Sequence, residues 1–316
     1  MQLTSLQAEK LLHDEVGRLK GGGRSIMVES RSAPHLPCHL FLPREPHPEG
    51  RVLVSVHGVS RNAEEHIELF RPLAERCGVI LIVPIFATDT FRDFQRLGRK
   101  GRGPRADLAL IRLLNEIGRA TRRDTSQFDL FGFSGGAQFA HRFALAHPQR
   151  VRRLALGAAG WYTMPDDSLR YPYGTGDSSG LDAVRLNVIA AARLPTLVLV
   201  GECDNRDDDE ELNRSRIVCR SQGGNRLQRA RTWTQAMNSF ATGRGEPEKA
   251  TLMALPGVDH SFRDAVVEGD LANHLFRHCY GAPDPTRLQP SRDVEKDNRD
   301  AGAMGCPVQS EIEYES

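Results

Sequence analysis

One short segment of the sequence, residues 132–136 (GFSGG), has the pattern of a nucleophilic serine. It matches G-x-S-x-G, in which the serine lies on a sharp turn between a strand and a helix. An apolar run, residues 128–133, precedes Ser134, and small alanines follow it at helical spacing. The glycines allow the tight turn, and the small residues allow the helix to pack close to the strand. The sequence therefore predicts that Ser134 is exposed and catalytic.

Two later loops supply the groups that a catalytic serine needs. A serine hydroxyl requires a base to take its proton, and the base requires an acid to orient it. Residues 196–200 form an apolar run followed by Asp204, and residues 251–255 form another, followed by His260. Because parallel strands bring their carboxyl ends to one edge, we predict Asp204 as the acid and His260 as the base. Asp207, Asp208 and Asp209 are rivals of Asp204, which is favoured by its place three residues after Gly201.

Two backbone amides are predicted to stabilise the oxyanion that develops during acyl transfer. One is the amide of Gly135, which follows the nucleophile directly. The other comes from residues 57–62 (HGVSRN), which follow the first long apolar run, and we assign it to Val59. His57 is expected to support this loop by hydrogen bonding and not to catalyse.

The elements that must hold these residues alternate between apolar runs and helix-period segments. Six apolar runs predict strands that are covered on both faces, namely 52–56, 79–83, 128–133, 154–156, 196–200 and 251–255. Between them, Leu110, Leu113, Leu114 and Ile117 mark one face of a helix. This alternation predicts an α/β fold with a mostly parallel, doubly wound sheet. Two further short strands, near 25–30 and 38–42, are expected to form an antiparallel entry to it.

The remaining segments complete the predicted domain organisation. Residues 1–24 are expected to contain an N-terminal helix, ended by three glycines, and residues 25–280 form the α/β domain. Within it, residues 157–194 are too long for a bare connection and predict a small cap insertion. Residues 281–316 are rich in proline and charge, which predicts a disordered tail.

Two features leave alternatives open. Trp161, Tyr162 and Phe86 lie near strand ends and either line an acyl pocket or belong to the core. Residues 91–105 carry six Lys and Arg residues against the single acid Asp93. This basic segment is either a flexible, solvated loop or a rim that attracts a substrate carboxylate or phosphate.

Composition excludes several classes of protein. The 316 residues include 42 Lys and Arg and 41 Asp and Glu, so no nucleic acid or anionic membrane partner is expected. No apolar stretch is long enough to span a membrane, and the N-terminal residues lack the apolar core of a secretory signal. Six separated cysteines without a C-x-x-C pair predict free thiols, no metal site and a cytoplasmic location. The oligomeric state is left open.

Over residues 25–280, the sequence resembles the α/β-hydrolases. The resemblance rests on the His57-Gly58 loop, the turn around Ser134, the Gly-x-x-Asp turn at Asp204 and the Asp-His-Ser-Phe segment at His260, which occur in that order. The strings HGVSRNA and GFSGGA are also similar to bacterial esterases of the polyhydroxyalkanoate-depolymerase type.

Together these features predict a serine hydrolase that cleaves a small-molecule carboxylic ester through an acyl-enzyme, with no cofactor. A peptidase or thioesterase could use the same three residues, since bond preference depends on the pocket. The alternative from another class is a non-catalytic binding protein on a hydrolase fold, which usually lacks one of the three residues.

Overall fold

One sheet of eight strands organises the protein. In the computed structural model, the residues described are 22–181 and 185–281. The strands are β1 (Arg24–Glu29), β2 (Pro37–Leu42), β3 (Val52–Val56), β4 (Ile80–Pro84), β5 (Phe128–Phe133), β6 (Val151–Gly157), β7 (Thr196–Gly201) and β8 (Ala250–Leu255). The predicted N-terminal helix (1–24) and disordered tail (281–316) lie almost entirely outside the described residues.

The strand directions agree with the sequence. The order across the sheet is β1-β2-β4-β3-β5-β6-β7-β8. β1 pairs with β2, and β2 with β4, in antiparallel register, whereas every later pairing is parallel. β3, β4, β5 and β7 are buried along their whole length, as expected of strands covered on both faces. The predicted mostly parallel sheet with an antiparallel entry is confirmed.

Helices cover both faces of this sheet. They are α1 (Ala63–Cys77), α2 (Ala106–Thr121), α3 (Gly135–Ala146), α4 (Val188–Ala192), α5 (Arg216–Gln222), α6 (Arg226–Thr242), α7 (Phe262–Val267) and α8 (Leu271–Tyr280). Buried residues of α2, α3 and α6 belong to the core on one face. Those of α1, α7 and α8 belong to the core on the other. The doubly wound arrangement is therefore confirmed.

Helix α2 shows how the sequence pattern produces this packing. Leu110, Leu113, Leu114 and Ile117 are all fully buried, as their three- and four-residue spacing predicts. The helix ends where Arg122 takes a left-handed conformation and its amide donates to carbonyls of the last turn. Burial of this one apolar stripe fixes the helix against the sheet.

The predicted cap insertion, residues 157–194, contains one short helix, α4, in its described part. Met164, Tyr171 and Leu181 from this segment are buried in the same core as α2 and α3. The Tyr171 hydroxyl donates to the carbonyl of Arg96 at 2.8 Å. The described part is thus packed against the body, while its function as a cap stays a prediction.

Among the described helices, none combines the length and the apolar character that crossing a lipid bilayer requires.

Candidate active site

Ser134 lies on a strained turn between β5 and α3. Its backbone has φ 52° and ψ −114°, a conformation that is rare for a residue with a side chain. Two glycines make the turn possible by close approach. A Cβ on Gly136 would lie 2.0 Å from the Val56 carbonyl oxygen, and one on Gly132 would lie 2.1 Å from the Gly136 carbonyl oxygen. The predicted turn is therefore enforced by local packing.

Ser134, His260 and Asp204 form a continuous series of hydrogen bonds. The Ser134 Oγ lies 3.1 Å from His260 Nε2. On the other side of the ring, His260 Nδ1 lies 2.8 Å from Asp204 Oδ2. A carboxylate only accepts, so Nδ1 carries the proton and Nε2 is free to accept the serine proton. The structure brings the three predicted residues together, in the geometry that a nucleophile, base and acid require.

The loops that carry His260 and Asp204 support one another. The Cys203 amide donates to the Val258 carbonyl at 2.9 Å. A Cβ on Gly201 would lie 2.1 Å from the same Val258 oxygen, so glycine permits this contact. The His260 ring also stacks on Phe133, with ring centroids 5.5 Å apart. These contacts fix the imidazole between the carboxylate and the serine.

The backbones of Val59 and Gly135 lie side by side next to Ser134. A Cβ on Gly135 would lie 3.1 Å from the Val59 nitrogen, and one on Gly58 would lie 3.5 Å from Ser134 Cβ. Gly135 is the first residue of α3, where backbone amides have no partner within the helix. The arrangement is compatible with two amides that face one oxyanion, and this role stays a prediction.

His57 supports the loop that carries Val59. It is fully buried, its Nδ1 lies 2.7 Å from the Gly58 carbonyl oxygen, and its Nε2 accepts from the Phe86 amide at 3.0 Å. Burial lowers the pKa of His57 to about 4, although the Gly58 carbonyl opposes this shift. The ring is therefore neutral at neutral pH. These bonds are of the supporting kind expected from the sequence.

Arg61 supports the same loop from its other side, a contact that the sequence did not suggest. Its Nε donates to the Phe86 carbonyl at 2.9 Å, and its Nη1 donates to the Val59 carbonyl. The Val59 carbonyl is thereby held in place, together with the peptide plane of the next amide.

Asp204, the predicted acid, has one further side-chain partner that the sequence did not suggest, and that partner also binds Asp209. Arg226, the first residue of α6, donates from Nη1 to Asp204 Oδ1 at 3.2 Å and to Asp209 Oδ2 at 2.5 Å. Arg226 is 2% exposed and Asp204 is also 2% exposed. The only sequence signal for the position was Asn225, whose side chain caps α6 by accepting from Gln228. Of the rivals to Asp204, Asp209 contacts Arg226, and Asp208 pairs with Arg206 at the surface.

The three aromatic residues considered for an acyl pocket are buried among other rings. Phe86 stacks on Phe94 with centroids 5.1 Å apart, and Tyr162 stacks on Trp233 at 4.9 Å. Neither Phe86 nor Tyr162 has exposed surface. Trp161 is 3% exposed and faces the Arg142 guanidinium at 4.3 Å. Of the two alternatives, the structure favours the core.

The basic segment, residues 91–105, is anchored to the body and is not solvated throughout. Phe91, Phe94 and Leu97 are buried in the core. Asp93 accepts from Arg96 at 2.9 Å and from Arg99 at 2.8 Å. Burial alone would raise the pKa of Asp93, but the bonds from these arginines outweigh it and hold the pKa below its usual value. The expectation of a flexible, solvated loop overlooked these apolar residues, which alternate with the charges.

An acidic depression of about 620 Å³ opens beside His260. It is lined by Asp204, Arg206, Asp208, Asp209, Glu210, Asp259, His260, Ser261 and Asp264. Acids outnumber the single arginine, so an anionic group of a substrate is disfavoured on this side of the site.

Within the described part of the chain, no cluster of His, Cys, Asp and Glu is arranged to hold a metal ion. Among the described residues, no disulfide bond joins the five cysteines, which are Cys38, Cys77, Cys203, Cys219 and Cys279.

Comparison with solved structures identifies the fold. A poly(aspartic acid) hydrolase from Sphingomonas sp. KT-1 has a TM-score of 0.66 at 22% identity, covering 82% of this chain and 97% of that protein. A poly(3-hydroxybutyrate) depolymerase from Bordetella parapertussis has a TM-score of 0.66 at 23% identity, covering 84% and 99%. An S-formylglutathione hydrolase from Agrobacterium tumefaciens has a TM-score of 0.56 at 17% identity, covering 82% and 95%.

No protein-family profile and no curated protein sequence matches the chain. At these identities the structural similarity shows the fold alone. The chain has the α/β-hydrolase fold, as its sequence motifs predicted.

Proposed function

We propose that this α/β-hydrolase-fold protein is a serine hydrolase that cleaves a carboxylic ester through an acyl-enzyme intermediate. The observation that carries the proposal is the pair of bonds on His260, at 3.1 Å to Ser134 Oγ and at 2.8 Å to Asp204 Oδ2. A serine so bonded can lose its proton as it attacks, whereas an isolated serine cannot.

In the first half-reaction, Ser134 Oγ attacks the ester carbonyl carbon while His260 Nε2 takes the hydroxyl proton. The carbonyl oxygen becomes an oxyanion, which the amides of Val59 and Gly135 stabilise. Asp204 stabilises the imidazolium and holds its orientation. The intermediate then collapses, the bond to the alcohol breaks, and His260 donates its proton to the departing alkoxide. The products are the free alcohol and an ester between the acyl group and Ser134.

In the second half-reaction, water takes the place of the alcohol. His260 removes a proton from the water, the hydroxide attacks the acyl-enzyme, and the same two amides stabilise the oxyanion. Collapse returns the proton from His260 to Ser134 and releases the carboxylic acid. The cycle needs no metal or organic cofactor, because the proton and the acyl group are the only species transferred.

The similarity of the fold to hydrolases and depolymerases supports an ester as the substrate class. We further propose a small or medium acyl group and a cytoplasmic location. One of the similar structures is named as a poly(aspartic acid) hydrolase. An amide is therefore the alternative bond that needs a direct comparison.

The first test is labelling of the purified protein with a fluorophosphonate probe, followed by peptide mass mapping. An adduct on Ser134 is expected, and it should be absent from Ser134→Ala and unchanged in Ser168→Ala, which alters an exposed serine. Folded protein that carries no adduct would support a non-catalytic binding protein instead.

The second test compares bond types at one acyl group. Rates of hydrolysis are measured for an ester, a thioester and an amide, and then for esters of increasing acyl length. We expect the ester to have the highest kcat/KM. A higher kcat/KM for the amide would replace the ester hydrolase with a peptidase or amidase on the same residues.

A further inference from the structure

We propose that Arg226 and Asp209 are positioning residues that hold Asp204 and set the pH at which His260 becomes available as the base. The proposal rests on the function proposed above only in naming His260 as the base. The structural link itself joins α6 to two carboxylates of the loop after β7 and, through Asp204, to the imidazole.

The geometry divides the two oxygens of Asp204 between two partners. Oδ2 lies 2.8 Å from His260 Nδ1, and Oδ1 accepts from Arg226 Nη1 at 3.2 Å. The same Nη1 donates to Asp209 Oδ2 at 2.5 Å. A backbone bond reinforces the contact, since the Leu227 amide donates to the Asp204 carbonyl at 3.2 Å. Arg226 therefore fixes the rotation of the Asp204 carboxylate from the side opposite His260.

Burial makes the charge of Arg226 effective. The side chains of Arg226 and Asp204 are 2% and 3% exposed, whereas that of Asp209 is 26% exposed. A guanidinium stays charged in a protein, and a charge removed from water interacts strongly with its neighbours. Burial alone would raise the pKa of Asp209, but hydrogen bonds from Arg226 and the Glu211 amide outweigh it and lower the pKa. Asp209 is thus ionised at neutral pH.

The charges of Asp204, Asp209 and Arg226 do not cancel completely while His260 is neutral. Asp204 and Asp209 carry two negative charges and Arg226 carries one positive charge, so one net negative charge faces a neutral His260. Protonation of the imidazole cancels that charge. Arg226 therefore weakens the attraction of Asp204 for the imidazolium, and Asp209 partly restores it. Because Arg226 and Asp209 act in opposite directions, they adjust how readily His260 takes up a proton, while Ser134 and Asp204, which contact the imidazole, stay the same.

Other ionisable groups also face His260. Asp259 precedes it on its own loop and Asp264 lies on α7, while Arg206, Asp208 and Glu210 line the acidic depression. Arg206 and Asp208 are 67% and 70% exposed, and solvent screens charges at such positions. Tyr162 lies near Asp204, where burial and the carboxylate charge raise its pKa and keep it neutral. On α6, Arg229 is committed to the backbone carbonyls of Gly160, Gly223 and Asn213.

Two substitutions are expected to move the titration of His260 in opposite directions. Arg226→Gln removes a positive charge near the imidazolium, so the midpoint of the His260 titration should rise. Asp209→Asn removes a negative charge and leaves Arg226 to act on Asp204 alone, so the midpoint should fall. Each shift should be about half a pH unit to one unit, as expected for partly screened charges that do not contact the imidazole directly.

The test is an NMR titration of protein labelled at histidine Cε1, with the His260 resonance assigned by its loss in His260→Gln. The low-pH limb of the kcat/KM profile is recorded in parallel and should move with the NMR midpoint. Arg226→Lys keeps the charge and should stay close to the wild-type midpoint. Asp208→Asn removes the same charge one residue away, at the surface, and should shift the midpoint by less than about 0.2 unit.

Midpoints that stay at the wild-type value, or that move in the same direction in Arg226→Gln and Asp209→Asn, would overturn the proposal. If Arg226→Gln fails to fold, Asp209→Asn decides alone, because its partly exposed side chain can be replaced without leaving a buried charge unpaired. The NMR midpoint needs no turnover. Opposite shifts in a protein without esterase activity would therefore contradict the proposed function and leave the positioning role in place.

Discussion

At the scale of single residues, the reactivity proposed for Ser134 depends on what lies on the far side of His260. The imidazole is fixed by a buried carboxylate on Nδ1 and by the ring of Phe133 on its face, so its Nε2 points at the serine oxygen. The same carboxylate is held by Arg226. A serine that lacked this support would be an ordinary hydroxyl with a poorly nucleophilic oxygen. We therefore expect Ser134, His260 and Asp204 to act as a unit, so the effects of their substitutions on activity should not be additive.

Ser134→Ala is expected to abolish ester hydrolysis while the protein stays folded. Alanine removes the attacking oxygen, and it must adopt the same positive φ as serine, so the backbone of the turn changes little. Turnover of an activated ester and the melting temperature are measured on the same preparation. Full activity in this variant would mean that another residue is the nucleophile.

Asp204→Asn is expected to lower kcat by about 10⁴ with little effect on folding, as for the aspartate of the serine-protease triad. An amide cannot hold the His260 tautomer in which Nδ1 carries the proton. The buried charge of Arg226 keeps Asp209 as its partner, which limits the cost to stability. Steady-state kinetics and urea denaturation test both parts. A comparable loss of kcat in Asp207→Asn, without one in Asp204→Asn, would show that the acid is misassigned.

At the scale of elements, the strands could be predicted because a parallel strand covered on both faces is a continuous apolar run. β6 was predicted as 154–156 but spans Val151–Gly157, because Arg152 and Arg153 interrupt the apolar pattern at its start. Arg153 is accommodated by donating to the Cys279 carbonyl at 2.9 Å. The supporting pair Arg226 and Asp209 could not be predicted. Their contact joins residues 17 positions apart and depends on where α6 begins, which no local pattern specifies.

In the turn between β5 and α3, Gly135 and Gly136 are expected to have separable roles. Gly136→Ala would place a Cβ 2.0 Å from the Val56 carbonyl oxygen, which is backbone and cannot move aside, so β3 and α3 must separate. We expect a loss of at least about 3 kcal/mol of stability or no folded protein, as for severe overpacking.

Gly135→Ala is the matched comparison. Its Cβ would meet the Val59 Cγ1 at 2.8 Å, and an exposed side chain can rotate away. This variant should fold and lose activity by about 10²-fold, because the new methyl group displaces the Val59 amide. Thermal melts and kcat/KM on both variants separate the two roles. Equal stability of the two variants would contradict this division.

At the scale of the whole molecule, buried ionisable groups couple the fold to pH. His57, His66 and His141 are fully or almost fully buried, and burial lowers the pKa of each, to about 4 for His57. In the unfolded chain the same histidines titrate near 6.5. Asp129 acts in the opposite sense, because burial raises its pKa to about 6 even though arginines oppose the shift. These three histidines thus favour the fold at high pH, whereas Asp129 favours it at low pH.

The free energy of unfolding should therefore fall as the pH decreases from 7.5 to 5.5. Over that range the unfolded chain takes up protons at His57, His66 and His141, whereas burial keeps these histidines neutral in the folded protein, which lowers the free energy of unfolding by on the order of 1 kcal/mol for each histidine. Protonation of Asp129 in the folded state opposes this effect at a single site, so the net change expected is a loss of a few kcal/mol. Urea denaturation at the two pH values measures the difference directly.

Two variants identify which buried groups cause this loss. His141→Gln should reduce the difference in the free energy of unfolding between the two pH values by on the order of 1 kcal/mol, whatever its effect on absolute stability, because one of the three buried histidines is removed. His274→Gln, which alters a partly exposed histidine on α8, should leave the difference unchanged. Asp129→Asn should enlarge the difference in the free energy of unfolding between the two pH values, because the folded protein can no longer take up a proton at this carboxylate. A free energy of unfolding that is constant between pH 7.5 and 5.5 in the wild type would mean that the buried imidazoles can be protonated within the fold. In that case His57 could also be protonated within the fold. A protonated Nε2 could not accept the hydrogen bond from the Phe86 amide, so the loop that carries Val59 should loosen over the same range of pH.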